Sequence, residues 1–389
     1  MCCSLLLLAG CSTGAPTPPP STAAPTATAT ASATGTALPG TPAPTAFTAP
    51  CLDAAAGLSL DVRIGQVIMV GVTGELDAAE RRAITTNQLG SVVLLGSQGG
   101  GVTATAKLTA ELVALNPEAG LLVAADQEGG LVQRLTGPGF ATIPSAARQA
   151  RQQTSALRAA ARTWGASLSR AGVLLNLAPV ADVVPAAKRS SNAPIGRLGR
   201  GYGPDPKVVT TKTAAVIAGL EAGGVAAAVK HFPGLGEVVG NTDHTAGVVD
   251  RVTSAKSTSL APFRAAAKAG VGAVMVSSAT YPRIDPERQA VFSPKVLGLL
   301  RDWGYDGVVI SDDLGAAAAL GSVPASSRAV RFLAAGGDLV INADPGLTGS
   351  MASGVRKRAG RDAAFDQRLT ESVARVLTLK EGLGAYDCG

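Results

Sequence analysis

Eight short apolar runs, separated by longer mixed segments, constrain this 389-residue chain more than any other feature. They are Val67–Val70, Val92–Leu95, Leu121–Ala124, Val173–Leu177, Val225–Val229, Val271–Val276, Val308–Ile310 and Asp338–Ile341. Each is continuous rather than alternating, and mostly aliphatic or β-branched. Strands buried on both faces of a parallel sheet read this way, whereas strands with one wet face alternate. Between the runs, residues 144–170 and 206–221 have helical spacing. Several such segments end in Gly just before the next run, as at Gly172, Gly224, Gly270 and Gly336-Gly337. Gly at a helix C-terminus followed by a strand is the joint of repeated β-α units. Eight such units predict an α/β fold, a (β/α)8 TIM-type barrel in a single catalytic domain over residues 51–389. A doubly wound open sheet is the alternative, but no Gly-x-Gly-x-x-Gly follows the first run.

The N-terminal residues read differently. Leu5 to Gly10 form an apolar run too short to span a bilayer, as at the end of a secretory signal. Leu8-Ala9-Gly10-Cys11 looks like a bacterial lipobox, in which the Cys thiol receives diacylglycerol. Residues 1–11 are therefore expected to be a signal segment. Lipidated Cys11 would anchor the exported protein to the outer face of the bacterial cell membrane. Residues 12–50 are almost exclusively Ser, Thr, Ala, Pro and Gly and carry no charge. Such a composition buries too little apolar surface to offset ordering entropy, so a disordered tether is expected. Extended, it would reach on the order of 100 Å. Cys51 and Cys388 then flank the folded region, and a disulfide between them would suit an oxidising compartment.

The net charge of +6 fits a protein working near an anionic surface, and equally fits ordinary solubility. Aromatic residues are only 3% and no basic block is interleaved with them, so no nucleic-acid partner is expected.

Barrels of this kind carry their chemistry at the C-terminal ends of the strands. The third run leads into Asp126-Gln127-Glu128-Gly129-Gly130, with Arg134 close behind. The fourth leads to Asp182, the fifth to Lys230-His231-Phe232-Pro233-Gly234, and the seventh to Ser311-Asp312-Asp313-Leu314. Singly, Asp182 or Asp313 could cap a helix and Glu128 could pair with a neighbouring Arg. Together they point to one shared rim. With two His in the chain and no Cys/His constellation, no metal site is expected, and no organic cofactor. No Gly-x-Ser-x-Gly elbow is present. Carboxylates with Lys, Arg and His remain, the groups that glycoside hydrolysis uses.

The runs Asp126–Arg134, Lys230–Gly234 and Ser311–Leu314 resemble glycoside hydrolase family 3, in particular its single-domain bacterial β-N-acetylglucosaminidase branch. Asn176-Leu177-Ala178-Pro179-Val180 and the stretch from Ile195 to Gly203 also fit, and the resemblance spans roughly residues 57–385. It implies a retaining mechanism with Asp312 as nucleophile, and a sugar held by Asp126, Arg134, Arg200, Lys230 and His231. It also implies an exo-acting enzyme that removes terminal N-acetylglucosamine from peptidoglycan-derived fragments.

One segment departs from the family pattern. Where that branch carries Asp-Ser-His on a loop, this chain reads Glu237-Val238-Val239-Gly240-Asn241-Thr242-Asp243-His244. Ungapped, Asp243 stands at the family His, and His244 follows one residue late. Either Asp243 or His244 is expected to be the acid/base; His244 would need Asp243 or Glu237 as its polarising partner. Two other readings stay open: a β-glucosidase of the same family, and a sugar-binding lipoprotein with impaired catalysis.

Overall fold

All eight apolar runs become parallel strands in the computed structural model, which describes residues 48–389. The strands are β1 (Ile68–Thr73), β2 (Ser91–Leu95), β3 (Leu122–Ala125), β4 (Leu175–Asn176), β5 (Ala226–Phe232), β6 (Ala273–Val276), β7 (Val308–Asp313) and β8 (Leu339–Asn342). Each pairs with its neighbours in sequence, and β8 returns to β1 through Ile68↔Val340 and Val70↔Asn342, closing the ring. A closed barrel has no free edge, so the open doubly wound alternative is excluded.

The continuous apolar reading has a direct cause. Along each strand, alternate residues enter two different cores. Met69, Val93, Leu122, Ala124, Leu175, Ala228, Met275, Ile310 and Leu339 fill the barrel interior. Val70, Val92, Val123, Val229, Val274, Val309 and Val340 face the surrounding helices. Small alanines alternate with larger side chains, Met69 and Met275 among them, in this interior cluster.

Helices follow the strands: α1 (Ala78–Thr86), α2 (Gly101–Leu115), α3 (Thr154–Arg170), α4 (Pro206–Ala222), α5 (Ala261–Lys268), α6 (Pro294–Asp302), α7 (Ala325–Ala334) and α8 (Thr348–Ala359). Asp77 and Glu80 form a reciprocal capping box that starts α1, and the Asp205 side chain caps α4 ahead of Pro206. At Gly172, which joins α3 to β4, φ is +74° and a Cβ would lie 2.4 Å from Thr109 Oγ1. Both the turn and the close approach require glycine there.

Three expectations need correction. The helical spacing over 144–170 is split into a short turn, Ala146–Gln149, and α3. Gln149 is buried between them and donates to the Glu128 and Pro144 carbonyls, so its side chain serves the rim instead of a helix face. The fourth run shortens to two paired residues because Asn176 turns its amide to the Gln127 backbone and Pro179 offers no N–H. The first helix, Ala49–Gly57, takes in the last two residues of the expected tether. Cys11 and residues 12–47 lie outside the described residues.

The N-terminal mouth of the barrel is closed by the C-terminal helix, Ala363–Gly382. Val376 packs into the interior cluster, flanked by Leu379 and Leu383. Beside them, buried Lys380 donates to Gln66 Oε1 (2.5 Å), Gly90 O (2.7 Å) and Ala119 O (3.0 Å), just ahead of β1, β2 and β3. Cys51 and Cys388 form a disulfide that ties the first helix to the end of the chain across 337 residues.

Candidate active site

The opposite mouth holds a cavity of about 290 Å³. Its floor is the top of the interior core: Val93, Leu177, Met275 and Ile341. Its walls carry Asp126, Arg134, Arg200, Lys230, His231, Asp243, His244 and Asp312, so all eight rim residues singled out in the sequence meet in one place. The volume lies at the small end of ligand pockets, which run to about 1,000 Å³.

Strand register explains part of the convergence. β5 continues past the predicted run to Phe232, and its register against β6 shifts between Val229 and Phe232, which carries Lys230 and His231 to the rim. β7 likewise extends through Asp312 and Asp313. After β3 the chain folds into a small hairpin, Gln127–Gly129 against Val132–Gln133, which turns Asp126, Glu128 and Arg134 toward the mouth. Gln127 holds its base, donating to Leu135 O and accepting from Leu135 N.

On one wall the charges interlock. Arg200 donates from Nε and Nη2 to both oxygens of Glu128, at 2.9 and 2.7 Å. Lys230 Nζ bridges Asp126 (2.5 Å) and Glu128 (2.7 Å). Burial alone would raise Glu128, but Arg200 and Lys230 outweigh it and hold the carboxyl well below the usual range. Burial would likewise lower Lys230; Asp126 and Glu128 reverse that and hold its ammonium above the ordinary value. These groups therefore stay charged. The cluster presents fixed donors and acceptors around a small space, an arrangement suited to the adjacent hydroxyls of a polar ring.

His231 is oriented from behind. Its ring Nδ1 lies 2.7 Å from Asp182 Oδ2, while Asp182 Oδ1 accepts from the His231 and Leu235 backbone N–H groups. Asp182 is fully buried and caps no helix, contrary to the simplest sequence reading. With the proton on Nδ1, Nε2 faces the Arg200 guanidinium at 3.4 Å. Asp313, by contrast, is structural: its carboxylate accepts from Gly315, Ala316 and Ala343 N–H groups.

Asp312 differs from the clustered acids. Its carboxyl is pushed up to about 6, first by burial and then by the Asp243 charge, with His231 acting in the opposite sense. It accepts from its neighbour's backbone N–H, Asp313 N at 3.0 Å. A carboxyl lining a ligand-sized cavity, with no ion pair among the described residues, is free to react.

The loop bearing Asp243 and His244 is exposed at its tip but fixed at its base. Thr242 is buried, and the Thr242 and Asp243 carbonyls accept from Ala319 and Ala318 N–H, each at 3.1 Å. Glu237, considered as a partner for His244, is instead paired with Lys188. Among the described residues the His244 ring has no hydrogen bond or ion pair.

Two residues important here carried little signal. Glu128 was visible as an acid, but its partner Arg200 lies 72 residues away. Asn192 sits in a Ser-Ser-Asn-Ala stretch that reads as an ordinary turn. Fully buried, it donates to Leu235 O and Val238 O and accepts from Ile195 and Gly196 N–H. It thereby joins the Arg200 loop to the Asp243 loop.

Comparison with known proteins agrees with this geometry. A beta-hexosaminidase of Xanthomonas oryzae pv. oryzae is 35% identical over 315 residues, covering 77% of this chain and 90% of the relative. The crystal structure of a beta-N-acetylhexosaminidase from Beutenbergia cavernae superposes with a TM-score of 0.82 at 42% identity, covering 84% of this chain and 99% of that one. A glycoside hydrolase family 3 beta-N-acetylglucosaminidase from Paenibacillus matches at 30% identity and TM-score 0.75, over 85% of this chain and 63% of that one. Residues 59–379 match the family model for the glycosyl hydrolase family 3 N-terminal domain, and the chain belongs to that family.

Proposed function

We propose that this protein is a retaining exo-β-N-acetylglucosaminidase that releases terminal N-acetylglucosamine from peptidoglycan-derived fragments through a glycosyl-enzyme on Asp312. The observation that carries the reading is the placement of Asp312: a carboxyl with no ion pair among the described residues, at the end of β7, in a small cavity walled by Asp126, Lys230 and Arg200, which Glu128 ties together. A pocket of this size suits one terminal sugar rather than a threaded polymer. The name of the Xanthomonas relative supports a hexosamine, and those of the Beutenbergia and Paenibacillus proteins support an acetylated one.

In this mechanism Asp126, Arg134, Arg200, Lys230 and His231 hold the ring hydroxyls. Ionised Asp312 attacks the anomeric carbon as the glycosidic bond breaks and a loop acid protonates the leaving oxygen. Water then opens the ester, returning Asp312. The same reading includes export and anchoring at Cys11 to the outer face of the membrane. The Leu8–Cys11 sequence, the uncharged 12–50 segment and the Cys51–Cys388 disulfide support it.

Release of nitrophenol from the β-N-acetylglucosaminide and from the β-glucoside tests the reaction. The acetylated sugar should be strongly preferred, and Asp312→Ala should lose activity on the order of 10⁴-fold. Preference for the glucoside would make the enzyme a β-glucosidase; sugar binding without turnover would make it a binding protein. Loss of labelled palmitate incorporation in Cys11→Ala tests the anchor, and incorporation that persists would refute it.

A further inference from the structure

We infer that Asp243, and not His244, is the general acid/base of this site, forming a two-carboxylate catalytic pair with Asp312. The inference rests on the reading of Asp312 as nucleophile.

Three observations lead there. The first is the anchoring of Asp243. Its backbone N–H donates to Asn241 Oδ1 at 3.1 Å, and its carbonyl accepts from Ala318 N at 3.1 Å. Ala318 lies six residues beyond Asp312, in the loop that leaves β7. Gln289 braces the same loop, donating to Ala319 O at 2.8 Å and Ser278 O at 3.1 Å. The nucleophile strand and the Asp243 main chain are thus parts of one hydrogen-bonded assembly.

The second is the isolation of His244. A histidine acid needs a carboxylate to set its tautomer and steady its cation, as Asp182 does for His231. His244 has no such partner among the described residues, and Glu237 is held by Lys188. The other histidine is committed elsewhere: His231 has Asp182 on Nδ1 and Arg200 facing Nε2, within the cationic wall.

The third is charge. The Asp243 carboxyl lines the same cavity as Asp312 and, after burial, is the largest influence that raises it. Two carboxyls sharing a cavity repel when both are ionised, so a single proton shared by the pair is favoured. The other charged or titratable groups on the cavity are Asp313, His231, His244, Asp126, Arg134, Lys230 and Arg200. All but His244 and Arg134 have the partners described above; His244 lacks a carboxylate to steady its cation, and Arg134 cannot donate a proton near neutral pH.

The chemistry balances. In the first step the proton of Asp243 passes to the glycosidic oxygen as that oxygen leaves the anomeric carbon with the bonding pair, and Asp312 forms the ester. In the second, Asp243 takes a proton from water while the hydroxyl bonds to the anomeric carbon, and Asp312 departs as carboxylate.

The test compares kcat/KM for para-nitrophenyl β-N-acetylglucosaminide and for N,N′-diacetylchitobiose in wild type, Asp243→Ala, Asp243→Asn and His244→Ala. Nitrophenolate leaves without a proton, whereas the sugar needs one. Both Asp243 variants should lower disaccharide cleavage by about 10²–10⁴-fold, with the smaller loss on the formation of the ester from the nitrophenyl substrate. Azide should accelerate nitrophenol release by Asp243→Ala and yield the β-glycosyl azide, since it attacks without a base. Asp243→Asn should also move the acidic limb of the pH profile below about 6. His244→Ala should keep the wild-type ratio between the two substrates. If that ratio collapses and azide rescues only His244→Ala, His244 is the acid and this assignment is overturned. It is equally overturned if Asp243→Ala keeps the wild-type ratio. An inactive wild type would instead refute the hydrolase reading itself.

Discussion

Glu128 accepts two hydrogen bonds from Arg200, from Nε at 2.9 Å and from Nη2 at 2.7 Å, across 72 residues of sequence. Lys230 shares the same carboxylate. One buried anion thus neutralises two cations on the cavity wall. Glu128→Gln should leave both partly uncompensated, lowering stability by about 3–5 kcal/mol and raising KM about tenfold or more. Thermal melts and steady-state kinetics check this together. An unchanged KM would show that the pair serves only the fold.

In the proposed mechanism Asp182 acts on substrate through His231, which it orients. Asp182→Asn keeps the shape but replaces a carboxylate that accepts from three N–H groups. Charge-assisted hydrogen bonds are worth about 1.5–3 kcal/mol, so kcat/KM should fall about 10–100-fold. Substrate binding measured on an Asp312→Asn background should weaken in parallel. Binding that stays constant would place the effect in folding instead.

The pH dependence follows from Asp312. Its carboxyl, raised to about 6 by burial and by Asp243, must be ionised if it is the proposed nucleophile. Activity should therefore fall as pH drops through about 6. The linkage has the opposite sense for stability. The folded state holds this proton more tightly than the unfolded chain, so between about 4 and 6 stability declines as pH rises. Asp312→Asn should be inactive yet melt higher than wild type at neutral pH, by about 2–6 °C. A lower melting temperature would contradict the raised carboxyl.

Lys380 gives a second window. Burial pushes its ammonium down to about 7, while the unfolded chain keeps the ordinary value of 10.5. Above about 7 the unfolded chain binds the extra proton, so this group makes stability rise with pH up to roughly 10. Denaturant melts at several pH values should show the slope in wild type and lose it in Lys380→Met. That variant should also lose about 1–3 kcal/mol from the deserted Gly90 and Gln66 acceptors.

The Cys51–Cys388 disulfide closes nearly the whole folded chain. Restricting so long a loop in the unfolded state stabilises by about 2–5 kcal/mol. Reduction, or Cys51→Ser with Cys388→Ser, should lower the melting temperature by roughly 5–15 °C. The cavity lies at the other mouth of the barrel, so kcat/KM below the melt should change less than twofold.

By itself the sequence determined the barrel, because burial on both faces of every strand leaves a mark that survives without coordinates. Val92–Leu95 reads as a continuous run since Val92 meets helices and Val93 meets the interior. It also determined which residues reach the rim, because Asp126, Lys230, His231 and Asp312 stand directly at or beyond strand ends in a fold that gathers such ends together. Only the tertiary structure decided how they pair. Nothing local distinguishes the Asp182 that orients His231 from the Asp313 that satisfies three backbone N–H groups; each is an acid after a strand. Asn192 shows the same limit, since its four bonds join two loops more than forty residues apart in sequence. Side-chain periodicity is a property of neighbours along the chain. Hydrogen-bond partners and buried charge pairs belong to neighbours in space, and those exist only once the barrel has closed.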